Sequence, residues 1–244
     1  MAQTIVCMRW GQRYGVDYVN RLWSMIRRHT KRPTRLVCYT DDTQGLDPAV
    51  EAYPLPEIRL PQRLSMLPWR KISLWRPDLP GLRGETLYID LDVVITGPLD
   101  DFFDYEPGKF CIIRNWTKSH GGTGNTTCYR FVAGSAAHLF ERMEREPEVV
   151  YRTYGNSQTF VSREVGQPLV YWPEAWCVSF KHSLLPPFPL NFLVAPKLPP
   201  DARIVAFTGQ PDPDQALLGR WPMPGWKRLY KHVRPTPWIA AHWR

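Results

Sequence analysis

The chain opens with a strand, a helix and a second strand in close succession, and few folds begin this way. Thr4-Ile-Val-Cys-Met8 has the apolar, β-branched makeup of a buried strand, and a glycine-containing loop follows from Arg9 to Gly15. Val19, Leu22, Trp23 and Ile26 then recur at the i, i+3, i+4, i+7 spacing of one helical face. Asp17 stands where it can cap that helix, and Arg27, Arg28 and His29 oppose the C-terminal end of its dipole before Pro33. Arg35-Leu-Val-Cys-Tyr39 is a second strand, ending in Thr40-Asp41-Asp42. This order is how parallel-sheet, nucleotide-binding α/β halves begin.

The rest of the chain keeps to that plan. Residues 45 to 68 are proline-rich and read as irregular, Trp69 to Trp75 as a helix stopped near Pro77, and Phe110 to Ile113 as a strand. Thr86 to Thr96 carries the strongest strand signal and is expected as one strand. A helix opening at Ser135 puts Ala136, Leu139, Phe140 and Met143 on one face, another spans Ser157 to Val165, and Arg203 to Phe207 reads as a late strand. At 244 residues, one domain is expected over 1–213, with 214–244 a basic, tryptophan-rich tail packing on or extending from it.

Hydrophobic residues at 43% and charged residues at 22% exclude a disordered or fibrous chain. The N-terminal residues have neither a basic leader nor a long apolar stretch, and no later run has the length of a membrane span. The expected location is the cytoplasm. The five cysteines, never spaced as Cys-x-x-Cys, are expected as small buried thiols. The net charge is +8, and its placement matters more than its size. After Asp214 there is no acidic residue, whereas Arg220, Lys227, Arg228, Lys231, Arg234 and Arg244 alternate with Trp221, Trp226, Trp238 and Trp243. An anionic partner for this tail is implied, such as the inner face of a membrane. A nucleic-acid-binding protein is the weaker rival that this tail motivates, but no nucleic-acid motif accompanies it, and no nucleic-acid partner is expected.

Two aspartates interrupt the most apolar strand, as Asp90-Leu-Asp92. Asp-x-Asp alone is weak evidence, since chance supplies roughly 0.7 such pairs in a chain of this aspartate content. The second occurrence, Asp212-Pro-Asp214, lies between prolines in a polar loop and reads as a solvated turn. At Asp90 and Asp92 the surroundings are apolar, so two carboxylates there need a cation or several donors. Spacing of two along extended chain puts both on one side, where they can share a metal. Carboxylate oxygens suit magnesium or manganese, and such an ion can hold a diphosphate. The alternative is a strand end whose aspartates cap residues 98 to 103 or pair with Arg70 or Lys71.

Tyr88-Ile-Asp90-Leu-Asp92-Val-Val-Ile-Thr-Gly-Pro-Leu99 resembles the metal-binding strand of GT-A glycosyltransferases, especially the glycogenin-like and lipopolysaccharide galactosyltransferase-like group of family eight. Three further islands are similar to segments of that group: Asn125 to Phe131 to one that contacts donor or acceptor sugar, Tyr154 to Gln158 to one near the anomeric carbon, and Phe207 to Pro211 to a diphosphate and metal loop. The resemblance implies a single-domain GT-A fold with a mixed, mostly parallel sheet flanked by helices. It implies a retaining transferase that moves a hexose from a nucleoside diphosphate sugar, most simply a UDP-sugar, to a hydroxyl of a glycan or lipid-linked glycan. Asp90 and Asp92 would bind Mn2+ or Mg2+. Met8, Arg9 and Tyr14 around the first-strand loop and Asp41 or Asp42 after the second strand would hold the nucleotide. Lys71, Gly209 and Gln210 would meet the sugar-phosphate, and Asn125, Ser157 and Gln158 would flank the reacting sugar.

Plainer roles stand beside these: Tyr14 a packed loop aromatic, Lys71 a solvated helix face, Asn125 a turn residue and Gln158 part of an exposed helical turn. Two positions depart from the group. Thr208 replaces its third metal ligand, a histidine, and Ser157 replaces the aspartate before the glutamine. His120 and His182, both in loops, are the histidines that could reach the site. A binding protein of the same fold that has lost transfer is the rival these departures motivate.

Overall fold

A computed structural model describes residues 2–117 and 122–244 of the chain. The Cα trace divides into two compact units, 1–20, 32–91 and 100–172 forming the first, and 21–31, 92–99 and 173–244 the second.

In the first unit, β1 (Gln3–Arg9) is buried at all seven positions and pairs in parallel with β2 (Thr34–Thr40). Helix α1 (Val16–His29) contributes residues as far as Asn20 to this unit and the remainder to the second. β3 (Glu51–Pro54) lies parallel to β2 inside the stretch that the sequence marks as irregular. Its exposed alternate positions and terminal proline are those of an edge strand, which hides it from a search for apolar runs. A 3-10 helix spans Pro68–Trp75 and buries Trp69, Ile72 and Trp75.

β4 (Glu85–Ile89) runs parallel to β1, and here the expected single strand breaks. Its continuation, β5 (Val93–Ile95), belongs to a different sheet. The break falls on the aspartates, which leave the ladder where their side chains need polar company; Asp90 N still donates to Thr127 O at 2.8 Å. After the short α2 (Asp101–Asp104) come β6 (Cys111–Arg114) and β7 (Gly124–Val132), the latter antiparallel to both β4 and β6. Helices α3 (Ala137–Arg145), α4 (Pro147–Tyr154) and α5 (Ser157–Glu164) follow, then β8 (Val170–Tyr171). Among the described residues the sheet has seven strands in the order β3-β2-β1-β4-β7-β6-β8. Val6, Met8, Tyr39, Tyr88, Tyr129 and Phe131 meet Trp69, Trp75, Leu139 and Phe160 in one core, with the Trp75 ring stacked 5.9 Å from Tyr129.

In the second unit, β9 (Cys177–Ser179) is parallel and β5 antiparallel to the central β10 (Ile204–Ala206). Phe180 and Phe207 stack at 4.6 Å beside it. The last residues belong to this unit: α6 (Pro213–Leu217) and α7 (Trp238–His242) are followed by a buried Trp243, whose ring lies 4.2 Å under the Arg21 guanidinium. All five cysteines are free and buried.

Candidate active site

Lys71 is the centre of the first group of polar residues. The 3-10 helix that buries Trp69, Ile72 and Trp75 also buries Lys71, which is 7% exposed and so no solvated helix face. Its Nζ donates to Asp90 Oδ1 and Oδ2 at 2.8 and 2.9 Å and approaches Thr126 O at 3.3 Å. Strand alternation sets Tyr88 beside Asp90, and the Tyr88 hydroxyl donates to Asp90 Oδ1 at 2.6 Å. Burial first, then the negative charge of Asp90, pushes the Tyr88 phenol well above its ordinary pKa, so it remains a donor. Asp90 thus realises the pairing with Lys71 that the sequence left open. Its Oδ1 accepts two bonds and its Oδ2 one, so acceptor capacity remains on Oδ2.

Asn125 is not a turn residue. It lies in β7 at a bulge, where Ile112 and Ile113 pair with Tyr129 and Asn125, and its Oδ1 accepts from Thr127 N at 2.9 Å. The bulge aims the Thr126 and Thr127 carbonyls at Lys71 and Asp90. Helix α5 is tied to this strand end, because Gly124 N donates to Ser162 Oγ, which donates to Gln158 O. Asn156 caps α5 by accepting from Thr159 N at 2.9 Å, leaving Ser157 buried and Gln158 half-buried in the first turn.

The loops after β1 and β2 hold each other. Arg9 donates from Nε to Tyr14 O and from Nη1 to Asp42 O, with its Nη2 3.7 Å from the Asp42 carboxylate. Gly11 N donates to Asp41 Oδ2 at 2.9 Å. Tyr14 is half-buried, its ring 4.9 Å from Tyr18, and the Met8 side chain lies in the core.

The second unit carries Asp92 and the loop after β10. Phe207 N donates to Asp92 O at 2.9 Å. Thr208, Gly209 and Gln210 bend round Lys181, whose Nζ donates to Thr208 O at 2.7 Å and reaches Gln210 O at 3.5 Å. Gly209 has φ +81°, a conformation that favours glycine, and a Cβ there would stand 3.8 Å from Lys181 Nζ. Burial first and Lys231 second lower the Lys181 pKa. The Thr208 hydroxyl is buried with no partner. His182, also lowered by burial and by Lys181, is exposed, and His120 lies outside the described residues. Among the described residues no three His, Cys, Asp or Glu side chains gather as a metal cluster.

Tyr88 and Lys181 are additions to the residues expected from sequence. Tyr88 was legible from its i, i+2 relation to Asp90, whereas Lys181 reaches Thr208 across 27 residues of chain and left no local signal.

No family model matches the sequence, and no match is found among curated proteins. Among solved structures, the chain is similar to the galactosyltransferase LgtC, solved in complex with donor and acceptor sugar analogs (TM-score 0.59, 10% identity, 86% of this chain and 89% of that one). It is also similar to the glycosyltransferase GlyE of Streptococcus pneumoniae TIGR4 (0.57, 13%, 87% and 56%) and to the bifunctional glycosyltransferase WbbM (0.55, 12%, 87% and 46%). The fold is the GT-A fold. Identities this low carry the architecture and leave the chemistry to the residues of this chain.

Proposed function

We propose that the protein is a glycosyltransferase that moves a hexose from a nucleoside diphosphate sugar, most simply a UDP-sugar, to a hydroxyl of a glycan or lipid-linked glycan, with retention at the anomeric carbon. One observation carries the reading: on a GT-A fold, the strand β4 ends in a half-buried carboxylate, Asp90, held by a buried lysine. Such a group gives a fixed negative charge at the strand's C-terminal end, where ligands of open α/β sheets bind.

A divalent ion fits the donor set. Asp90 and Asp92 offer hard oxygens two residues apart along the chain, and Asp90 Oδ2 keeps acceptor capacity. When bound by these residues, Mn2+ or Mg2+ supplies positive charge to the oxygens of a departing diphosphate. The remaining work belongs to the chain. Lys71 fixes the Asp90 rotamer and balances its charge, Arg9 fixes the loop carrying Tyr14, and Asn125 and Gln158 flank the sugar. No Asp or Glu stands out as a nucleophile, so positioning and charge stabilisation carry the step. The reading places the enzyme in the cytoplasm, at the inner face of the membrane when its acceptor is lipid-linked.

The test is nucleotide release from UDP-, GDP- and CDP-sugars with manganese and an acceptor panel. Release that requires both donor and acceptor establishes transfer. Thr208 and Ser157 favour a second reading, a nucleotide-sugar binder without transfer. Saturable binding of a nucleotide sugar by calorimetry, with neither transfer nor slow hydrolysis, decides for it. Absence of any nucleotide-sugar binding overturns both.

A further inference from the structure

The second unit has an apolar and cationic face that the catalytic reading leaves unused. Eight of the twelve exposed large apolar side chains among the described residues fall between Phe188 and Tyr230, so the exposure is concentrated there. They come from two segments that the fold brings together. Asn191, itself buried, donates from Nδ2 to Tyr230 O at 2.9 Å and His232 O at 3.2 Å. The Phe192 ring stacks on His232 at 4.7 Å and 6°. Around this joint Leu193 is 76%, Leu229 78%, Trp226 65% and Phe188 61% exposed. Side chains of this size rarely stand so far into water without something to cover them.

Charge identifies the cover. Residues 185–199 and 215–234 contain no Asp or Glu, and they carry Lys197, Arg220, Lys227, Arg228, Lys231 and Arg234. Two of these cations sit over rings of the same segment, Lys227 Nζ 5.4 Å from Trp226 and Lys231 Nζ 5.6 Å from Trp221. Apolar side chains projecting between cations, with aromatic rings at the boundary, match the polar and acyl layers of an anionic lipid surface. A protein partner would need acidic groups placed one by one against these cations, whereas an anionic bilayer answers them all at once. No described helix is long and apolar enough to cross a membrane.

We propose that Phe188, Leu193, Trp226 and Leu229 insert into the headgroup region of an anionic bilayer, with Lys227, Arg228 and Lys231 on the lipid phosphates. This surface is not the tail alone, because half of it comes from the segment 188–194. It is independent of the transferase reading, since it predicts attachment whether or not any sugar is transferred.

The test is sedimentation of the full chain with vesicles of phosphatidylcholine alone or mixed with phosphatidylglycerol. Wild type is expected to sediment with the anionic vesicles only, and less as salt rises. A cation near such a surface is worth roughly fivefold in affinity, so Lys227→Gln with Lys231→Gln should weaken attachment at least tenfold. Leu193→Glu with Leu229→Glu, both at exposed positions, should weaken it at least tenfold with the melting temperature unchanged. Val149→Glu, exposed in the first unit, should leave it unchanged. Equal sedimentation with neutral and anionic vesicles, no sedimentation with either, or wild-type attachment by the leucine variant overturns the proposal. So does saturable binding of a single-stranded oligonucleotide without vesicle binding, or burial of this face by self-association.

Discussion

The Lys71 ammonium sits 2.8 and 2.9 Å from the two carboxylate oxygens of Asp90, with the lysine side chain 9% and the aspartate side chain 20% exposed. Removing one member of a buried pair strands the other, at a cost of about 3 to 5 kcal/mol. Lys71→Met should therefore lower stability by about that much in urea unfolding at neutral pH. Adding Asp90→Asn should recover most of the loss. A single variant as stable as wild type would mean that the pair is solvated and holds nothing in place.

Asp92→Asn should abolish transfer with little effect on fold. The substitution keeps the shape and removes one of the two negative charges that the proposed function assigns to the ion, while the backbone bond from Phe207 N to Asp92 O is untouched. Donor-dependent nucleotide release should fall by about 100-fold or more, the scale on which a lost charge-stabilising group is felt, with the thermal transition in place. Turnover at the wild-type rate would remove Asp92 from the mechanism.

Acidity should loosen the second unit through His29 and His242, and His182, lowered by burial and Lys181, adds to their effect. His29 and His242 lie 6.5 Å apart with rings near parallel, and Arg28 donates to the carbonyls of His242 and Arg244. Burial first, then Arg28, lowers the pKa of each histidine from its ordinary 6.5, with His242 adding to the effect on His29 and Arg244 to that on His242. The folded protein thus binds fewer protons than the unfolded chain once pH drops below 6.5, so the stability present above that value is lost as pH falls through the depressed folded values. Melting temperature should decline from pH 7.5 to 5.5, and His29→Asn with His242→Asn should make the decline shallower, with His182 keeping the remainder. The depressed carboxylates Asp78, Asp104 and Glu148 titrate at lower pH and do not confuse this window. A melting temperature that is flat or rises over the interval would contradict the assignment.

What the sequence discloses depends on whether a feature is local. β1, α1 and β2 are legible because their burial is written in consecutive apolar residues. β7 begins Gly-Asn-Thr-Thr and β3 ends at an exposed edge, so both escape a search for apolar runs although β7 is interior to its sheet. The division of Thr86 to Thr96 into two strands of different sheets is invisible to periodicity, which records apolarity and not hydrogen-bond partners. Asp90 announces itself as a carboxylate among apolar residues. Its partner Lys71 lies 19 residues away in a helix whose pattern alone reads as a surface, and only the fold reveals that the amine is enclosed.

The loop after β10 supplies the sharpest test of the metal reading. Thr208 has a buried hydroxyl without a partner and its carbonyl is held by Lys181, and the sequence resemblance aligns it with a histidine ligand. A neutral imidazole binds manganese far better than a hydroxyl does. Thr208→His should then tighten manganese binding measured in the presence of UDP, and raise transfer or hydrolysis at low metal. The new ring must displace no existing side-chain bond of Thr208, so its cost in stability is steric and is checked by the melting temperature without metal. Asp90 and Asp92 must remain necessary in the variant, because one histidine cannot replace two charged ligands. Manganese affinity and rate that do not change, in a variant that folds as well as wild type, would mean either that the loop from Phe207 to Pro211 does not meet the diphosphate or that Lys181, already at its carbonyls, supplies the positive charge there and leaves the ion no room.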